Sequence, residues 1–318
     1  MQCKCVLLSE MDFERRIENE NSQNLSVVNR ARRCLSAVGQ ACRSKPWEFE
    51  AQNQRQNALP RGPVLWTPPN IYFVFYGCWT CNLPGSNTDT MMILEDFASH
   101  LGNSPYFRIN TTYSDASGLT PNGSIFYGGS TADFQYSSGS ELTVDNIQEI
   151  ISRQISIGAL PLDTAGIYVV LASSDVGSTE TGFCEAPSSP YHGDSQHNGT
   201  PYKYAFVGNP ERCKPEAASQ FIATNGSVLP SPNGNLAADA MVSAIAHALN
   251  EVVTNPFGNA WFDRYGLESA DKCTGDFGQI YPAPNGAVAN MKLGNRDYLI
   301  QQNWVNNDRK GYCALAYP

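Results

Sequence analysis

The sequence predicts an α/β protein built as a single mixed-sheet domain with loops closed by disulfide bonds. Segments rich in aromatic and β-branched residues alternate with segments of helical periodicity, in the order strand, helix, strands, helix, strand, strand, helix. The 26 glycines and 20 prolines indicate many turns, and 318 residues with 42% hydrophobic content can build a large core. Ten cysteines, an even number, can pair completely in an oxidising compartment.

The first half of the domain is predicted to contain strands over residues 70–76, 105–113 and 124–136 and helices over residues 88–101 and 144–157. The first strand follows from its density of aromatic and β-branched residues. The first helix is amphipathic, with Met92, Phe97 and Leu101 among its apolar positions. The second helix ends at a stop signal, Gly158-Ala159-Leu160-Pro161.

The second half is predicted to contain strands over residues 167–171 and 202–207 and a helix from about Ala237 to Thr254. The first of these strands has an unbroken apolar run, which is typical of a strand buried on both faces. The second is expected to be an edge strand that follows a long loop after Cys184. Beyond Cys273 the chain is rich in turns, and we expect Trp304 and Tyr312 to pack back on the domain.

The helix that ends near Thr254 carries the most informative polar residues of the chain. His247 and Glu251 are four residues apart, so they lie one turn above each other on the same face of the helix. With Ser243 and Thr254 they form a polar stripe on an otherwise alanine-rich and aliphatic helix. Such a stripe indicates a polar pocket lined by a buried helix.

Carboxylates that follow this helix can supply further metal ligands. Asp263, Glu268 and Asp271 are close enough in sequence to return to the helix. One imidazole and two carboxylates suit zinc, which keeps a fourth position for water at catalytic sites. The predicted ligands of a possible zinc ion are therefore His247, Glu251, Glu268 and Asp271.

Two other interpretations of this pair stay open. A histidine and a glutamate at helical spacing can form a surface hydrogen-bonded pair that contributes only a few tenths of a kcal/mol. A zinc-dependent hydrolase is the other, but its helix also needs a glutamate directly after the first histidine to take a proton from the metal-bound water. This chain has Ala248 there, so a hydrolase would have to use Glu251 or a solvent network as its base.

Five blocks of the sequence carry a resemblance to a known family: residues 71–79, 167–176, 182–184, 204–209 and 241–273. In this order they resemble the EXORDIUM or phosphate-induced protein family, between residue 71 and about residue 313. The resemblance implies a secreted cell-wall or matrix protein linked to growth or to nutrient responses, and it attaches no reaction to the chain. Some relatives carry the glutamate that Ala248 replaces, which favours a non-catalytic protein. The helix and the element order also resemble the N-terminal half of zincin-type metallohydrolases.

The family-like region contains six of the ten cysteines: Cys78, Cys81, Cys184, Cys213, Cys273 and Cys313. Relatives often have a second cysteine close behind Gly-Phe-Cys, and this chain lacks it, so Cys184 needs another partner. We expect Cys184 to pair with Cys213 and Cys273 with Cys313, which leaves Cys78 and Cys81 to each other. Sequence alone does not fix this connectivity. A redox-active dithiol at Cys78-Trp79-Thr80-Cys81 and a cysteine-ligated zinc stay open as alternatives.

The charge distribution excludes some classes of partner. The chain has a formal net charge of −9, and after residue 62 only 11 basic residues stand against 23 acidic ones. An acidic surface repels phosphate backbones and anionic lipid headgroups, so nucleic-acid binding is not expected. No membrane span is expected either, since no stretch of 18 residues is apolar throughout. A cell-wall or matrix component remains a possible partner.

The N-terminal part differs from the rest of the chain. We expect residues 1–62 to form a low-order extension and linker, and residues 63–318 to form the globular domain. The start lacks the apolar core of a secretion signal, which indicates either an intracellular or unconventionally exported form or a misassigned start. We favour the second and expect an extracellular location. Five Asn-x-Ser/Thr sites are compatible with secretion and glycosylation: Asn24, Asn110, Asn122, Asn198 and Asn225.

Other polar candidates are weaker. His192 and His197 lie in a stretch rich in glycine, serine and proline that we expect to be a solvated loop, although from such a loop they could approach a metal. Residues 173–175, Ser-Ser-Asp, follow a predicted strand but lack the Gly-x-Ser-x-Gly elbow of a nucleophile. A turn cap is the expected role of these three residues.

Overall fold

The computed structural model describes residues 62–184, 190–213, 220–221, 227–307 and 311–318. Residues 1–61 of the predicted extension, with four cysteines and Asn24, lie outside the described residues, as does Asn225. The elements follow the order β1 (Asn70–Tyr76), α1 (Thr88–Leu101), β2 (Phe126–Asp133), β3 (Glu141–Leu142), α2 (Val144–Ser156), β4 (Ile167–Ala172), β5 (Gly177–Ser178), β6 (Tyr191–His197), β7 (Thr200–Val207), α3 (Leu236–Thr254), β8 (Tyr281–Pro282), β9 (Val288–Ala289), β10 (Met291–Leu293), β11 (Arg296–Tyr298), β12 (Asn303–Val305) and β13 (Tyr312–Ala314).

The central sheet has five strands in the order β2-β1-β4-β7-β6. The first four run parallel to each other, and β6 lies antiparallel to β7 at one edge. β6 and β7 form a hairpin whose turn residues Asn198 and Gly199 have φ values of 50° and 78°. Asparagine and glycine favour these left-handed values, which match the twist of the two strands. The predicted α/β architecture with a mixed sheet is confirmed.

Alternate residues of β1 enter two separate hydrophobic cores, one on each face of the sheet. Phe73 and Phe75 pack in a core with α1 and α3. Tyr72 and Tyr76 pack with α2 on the opposite face. Because helices cover both faces, β4 and all of β1 after Asn70 are buried, and their sequences there are apolar or aromatic without interruption.

Side-chain caps fix the starts of the three long helices. Asn87 accepts a hydrogen bond from Thr90 N at the start of α1, and Thr143 opens a capping box at the start of α2. Asn235 accepts from Ala238 N at the start of α3. All residues of α3 from 237 to 254 are buried, so this helix forms part of the core along its length.

The prediction of a strand over residues 105–113 is wrong. The chain forms a 3-10 helix there, Phe107–Thr112. Ser104 Oγ accepts from Phe107 N, and the hydroxyls of Thr111 and Thr112 donate to carbonyls three residues before them. Such local bonds give the backbone an alternative to strand pairing.

The predicted edge of the sheet is also wrong. Residues 202–207 belong to β7, an internal strand, and the edge strand is β6 in the segment expected to be a loop. The residues of β6 after Tyr191 are polar or glycine, and Asp194 and Gln196 are exposed, as a strand at the edge of a sheet allows. Tyr312, expected to pack on the domain, is 50% exposed.

Three disulfide bonds close loops of the described chain: Cys78–Cys81, Cys184–Cys213 and Cys273–Cys313. Their Cα atoms are 5.6, 5.2 and 5.7 Å apart, as disulfide geometry requires. These are the pairs expected from the family resemblance. All six cysteines are therefore bonded to each other, so no cysteine-ligated zinc forms from them.

Among the described residues, one helix is long and apolar enough to cross a membrane, and it is α3. The most apolar stretch of this helix is 89% buried inside the protein, as expected for a central core helix. This position is consistent with the predicted lack of a membrane span.

Candidate metal centre

Helix α3 places His247 and Glu251 one turn apart in the protein interior. Their side chains are only 2% and 5% exposed, and His247 Nε2 lies 2.9 Å from Glu251 Oε1. Because α3 is buried along its length, its packing removes this pair from solvent. The interpretation as an exposed surface pair is therefore wrong.

The loop after α3 folds back on itself before it reaches the pair. Asp263 Oδ1 accepts from Tyr265 N and Leu267 N, which fixes the first turn of the loop. Asp263 Oδ2 lies 3.8 Å from Lys272 Nζ. The carboxylate of Asp263 therefore stabilises the loop and does not join His247.

The end of this loop brings two acids to the pair. Asp271 Oδ1 lies 3.4 Å from His247 Nε2, and Asp271 N donates to Glu251 Oε1 at 3.2 Å. Glu268 is held nearby because its N–H donates to Asp271 Oδ2 at 3.1 Å. The short helix Asp271–Cys273 follows, and the bond from Cys273 to Cys313 anchors it.

A second histidine enters from the sheet edge. His192 lies on β6, where it pairs with Ala205 of β7. Its Nε2 lies 3.1 Å from Glu268 Oε2 and 3.7 Å from Glu251 Oε2. The expectation that His192 lies in a solvated loop is wrong. The Asn198-Gly199 hairpin turn was the signal that could have identified β6, since this dipeptide marks two-residue hairpins.

The five side chains form two groups of possible metal ligands that share Glu251. The first group is His247, Glu251 and Asp271, and the second group is His192, Glu251 and Glu268. Within each group the ligand atoms all lie within 4.8 Å of one another. Of the four ligands predicted from the sequence, three lie in the first group, and Glu268 lies with His192 instead.

The electrostatics of the centre favour positive charge. Burial alone lowers the pKa of His247, but the charge of Glu251 and the contacts of Asp271 outweigh burial and raise that pKa to about 10. Burial likewise opposes protonation of His192, yet its bond to Glu268 and the nearby Glu251 raise its pKa overall. Three carboxylates in a buried site need protonated histidines or a cation to balance their charge.

The carboxylates respond in opposite directions. Burial raises the pKa of Glu268 and outweighs the effect of His192. For Asp271 burial also raises the pKa, but the bond to His247 and the Glu268 N–H lower it overall. Asp271 is therefore better stabilised as an anion than Glu268.

Within the centre, His247 Nε2 is a buried atom whose hydrogen bonding is incomplete. It lies close to two carboxylates but forms no well-directed hydrogen bond with either. On the other side of the ring, Gln301 Nε2 lies 3.0 Å from His247 Nδ1 and donates to Ala270 O. A metal on Nε2 requires a proton on Nδ1, so cation binding would couple to a rotation of the Gln301 amide that presents its oxygen.

The donor set fits zinc, and the spacing of the ligand atoms lies within about half an ångström of that in a tetrahedral site. Ligands about 2.0–2.2 Å from a tetrahedral zinc ion lie about 3.3–3.6 Å from each other. In the first group His247 Nε2 lies 2.9 and 3.4 Å from its two carboxylate oxygens. In the second group the corresponding distances from His192 Nε2 are 3.1 and 3.7 Å. Imidazole and carboxylate are also the ligands that zinc accepts.

The position next to His247 has no catalytic group. Ala248 is fully buried among the apolar side chains between α1, α3 and the sheet. A methyl group cannot take a proton from a metal-bound water. The base of a zinc hydrolase would have to come from another residue.

The remaining polar candidates make structural contacts. Ser173 Oγ donates to Asp175 Oδ1, and Tyr136 donates to the other oxygen of the same carboxylate. This arrangement supports the turn-cap interpretation of residues 173–175. His197 Nδ1 lies 2.8 Å from Ser152 Oγ, apart from the two groups.

The fold and the centre define a class: a disulfide-bonded α/β protein with a buried histidine and carboxylate centre beside a sheet edge. The model of the Phosphate-induced protein 1 conserved region matches residues 59–310. The chain is 32% identical to Protein EXORDIUM-like 5 of Arabidopsis thaliana over 80% of this chain and 76% of that protein. It is 26% identical to Protein PHOSPHATE-INDUCED 1 of Nicotiana tabacum, over 75% of this chain and 78% of the relative.

The chain therefore belongs to the phosphate-induced protein 1 family, to which the sequence resemblance pointed. Protein EXORDIUM of Arabidopsis thaliana is also similar, with 30% identity over 57% of each chain. No solved structure matches the chain.

Proposed function

We propose that this protein is a non-catalytic extracellular member of the family that holds zinc in its buried centre and acts in the cell wall or matrix through binding. Family membership supports a role in growth or nutrient response as part of this proposal. The zinc ion is held by His247, Glu251 and Asp271 and stabilises the fold. Glu268 contributes through the second group.

One observation carries the zinc proposal. The carboxylate of Glu251 is buried, and its two oxygens face two different histidines, His247 at 2.9 Å and His192 at 3.7 Å. An interior centre of three carboxylates is costly unless positive charge accompanies it. Zinc supplies that charge with the ligands that the centre offers.

The engagement of the acids argues against catalysis. Glu268 Oε1 accepts from Asn255 Nδ2, and Asp271 Oδ2 accepts from Glu268 N, so each acid has one oxygen committed to the protein. Their other oxygens face the histidines. A general base must instead be free to take a proton from water.

The second candidate is a zinc-dependent hydrolase with a zincin-like fold. The His247 and Glu251 spacing favours it, because two metal ligands one helical turn apart are typical of zinc peptidases. Ala248 weighs against it, because a methyl group cannot take a proton from a metal-bound water. In that case Glu251 or ordered water would have to replace the missing base.

The extracellular location rests on three disulfide bonds and on family membership. Structural disulfides persist in oxidising compartments and are rare in the cytosol. The acidic chain, with a net charge of −9, suits basic wall polymers or proteins better than nucleic acids or anionic membranes.

The test is metal analysis of protein purified without chelator, before and after dialysis against zinc. We expect at least one tightly bound zinc per chain, and we expect Glu251→Gln to lose it. Glu149→Gln is the matched control, because Glu149 is exposed on α2 on the other side of the sheet. A wild-type chain that binds no zinc would overturn the zinc proposal. Zinc-dependent cleavage of a peptide library by the wild type would overturn the non-catalytic assignment.

A further inference from the structure

We propose that the centre binds two zinc ions bridged by the Glu251 carboxylate, with the second ion held by His192, Glu251 and Glu268. This inference rests on the proposed zinc binding and extends it from one ion to two. It makes His192, on the edge strand β6, a metal ligand.

The two oxygens of Glu251 divide between the groups. Oε1 faces His247 Nε2 at 2.9 Å, and Oε2 faces His192 Nε2 at 3.7 Å. A carboxylate that offers one oxygen to each of two cations is a bridging ligand. Two-metal sites in proteins hold their ions about 3.5–4 Å apart, a separation that one carboxylate can span.

The second group is held in position by the fold as firmly as the first. Asn255 Nδ2 donates to Glu268 Oε1 at 2.8 Å, which turns Oε2 towards His192. In the first group, Glu268 N fixes Asp271 Oδ2, which turns Oδ1 towards His247. Each terminal acid thus has one oxygen bonded to the protein and the other directed at a histidine.

His192 is placed by backbone pairing and not by a mobile loop. It pairs with Ala205 within the β6–β7 hairpin, and its side chain is 14% exposed. Ligands on regular elements are held more precisely than ligands on loops. The His247 side chain, which is 2% exposed, points into the same cluster from α3. Its Nε2 atom has no directed hydrogen bond. The two histidines therefore approach Glu251 from two rigid elements.

The two groups reach solvent through different side chains. In the second group His192 and Glu268 are 14% and 16% exposed. In the first group His247 is only 2% exposed, and Asp271, at 30%, provides the opening. Zinc from solution can therefore reach both positions.

The experiment counts zinc per chain by isothermal titration and elemental analysis at pH 8. We expect two equivalents for the wild type and for Glu149→Gln, one for His192→Ala, and one for Asp271→Asn. Glu268→Gln keeps the side-chain volume and the contact with Asn255, so it removes the second ion without the risk that a smaller side chain perturbs the fold. Circular dichroism confirms that each variant is folded.

A paramagnetic readout tests the bridge itself. With two Mn²⁺ ions per chain, a shared carboxylate produces a spin-coupled electron paramagnetic resonance spectrum, and His192→Ala should convert it to that of an isolated ion. One zinc per chain in the wild type, unchanged by His192→Ala, would overturn the second ion and leave the proposed function standing. No bound zinc at all would overturn both.

Discussion

Glu251 is the residue on which the centre depends, because its carboxylate contacts both histidines. Its burial means that any change in the charge of the centre acts on the stability of α3 and of the loop that carries Asp271. Without a cation, protons on the histidines are the available positive charges. The metal-free protein should therefore respond to pH through these side chains.

With a chelator present, we expect the free energy of unfolding to fall as pH rises from about 6.5 to about 10. The pKa of His247 is raised to about 10 in the folded state, so its stabilising protonation is complete below the unfolded value and is lost through that range. The raised pKa of His192 acts in the same direction. Urea unfolding at a series of pH values measures the change, which we expect to be a few kcal/mol.

Excess zinc provides the control for this prediction, because a bound cation replaces the protons and should flatten the pH dependence. His247→Asn should flatten it as well in the presence of chelator. A metal-free stability that stays constant or rises from pH 6.5 to 10 would contradict the assignment of the charge to His247.

At this scale the sequence identifies part of the centre. The four-residue spacing of His247 and Glu251 predicts their shared helix face, because helical geometry is local. Asp271 and Glu268 could be proposed as partners because they follow the helix closely. His192 could not be assigned, since its approach to Glu268 depends on pairing between β6 and β7, and Asp263 could not be separated from Asp271 without the turn that it caps.

Among the elements, α3 and the loop that follows it have different sources of stability. α3 is a core helix, and burial of its apolar residues against the sheet stabilises it. The loop from residue 263 to residue 273 has little regular structure and depends on side-chain bonds and on Cys273–Cys313. The ligands Glu268 and Asp271 therefore lie on the less stable of the two elements.

We expect the double substitution Cys273→Ser and Cys313→Ser to lower the free energy of unfolding by about 2–4 kcal/mol, since the bond closes a loop with a sequence separation of 40 residues. Zinc affinity should fall as well, because the loop that holds Asp271 loses its anchor. Thermal unfolding and zinc titration measure the two effects.

The matched control is Cys78→Ser with Cys81→Ser, which opens a loop with a separation of only three residues. This pair follows β1, and we expect its loss to leave zinc affinity unchanged. Equal loss of zinc affinity in both double variants would show that the Cys273–Cys313 bond has no specific role in holding the ligands.

The helices and strands predicted from the sequence are correct where the apolar pattern and the capping residues indicate the same element. They are wrong where those signals disagree. The three long helices combine side-chain caps with a buried apolar face, and β1 and β4 have continuous apolar runs. β6 contains Gly193, Asp194 and Ser195, whose composition is typical of a loop. Its strand conformation comes from pairing with β7, and the Asn198-Gly199 turn that marks this hairpin was the local signal that the composition obscured.

For the molecule as a whole, the centre lies beside the sheet and not at its carboxyl edge. Val253 O, two residues after Glu251, accepts from Leu65 N, which precedes β1, so this end of α3 lies near the amino end of that strand. Ligands of open α/β sheets usually bind at the opposite, carboxyl end of the strands. His192 reaches the centre from β6, where it lies level with Ala205 of β7 and so with Phe73 in the middle of β1.

The proposed extracellular location leads to a prediction about glycosylation, and the burial of each asparagine makes that prediction specific. When the chain is expressed behind a secretion signal in a eukaryotic host, we expect glycans on Asn122 and Asn198, which are exposed in turns. Asn110 should carry none, because it is fully buried and its amide donates to Asn250 Oδ1 at 2.8 Å and to Phe107 O. Mass spectrometry of tryptic peptides with and without glycosidase identifies the modified positions.

Single substitutions by glutamine separate the two kinds of site. Asn122→Gln and Asn198→Gln should each remove one glycan. Asn122→Gln should change stability little, since its side chain faces solvent. Asn198→Gln should lower stability, because Asn198 has a left-handed φ of 50° that glutamine adopts less readily. Asn110→Gln should leave the glycan mass unchanged and lower the free energy of unfolding by about 1–3 kcal/mol, because the buried Asn250 loses its partner. A glycan on Asn110 would mean that the 3-10 helix Phe107–Thr112 is not packed against α3 when the chain passes through the secretory pathway.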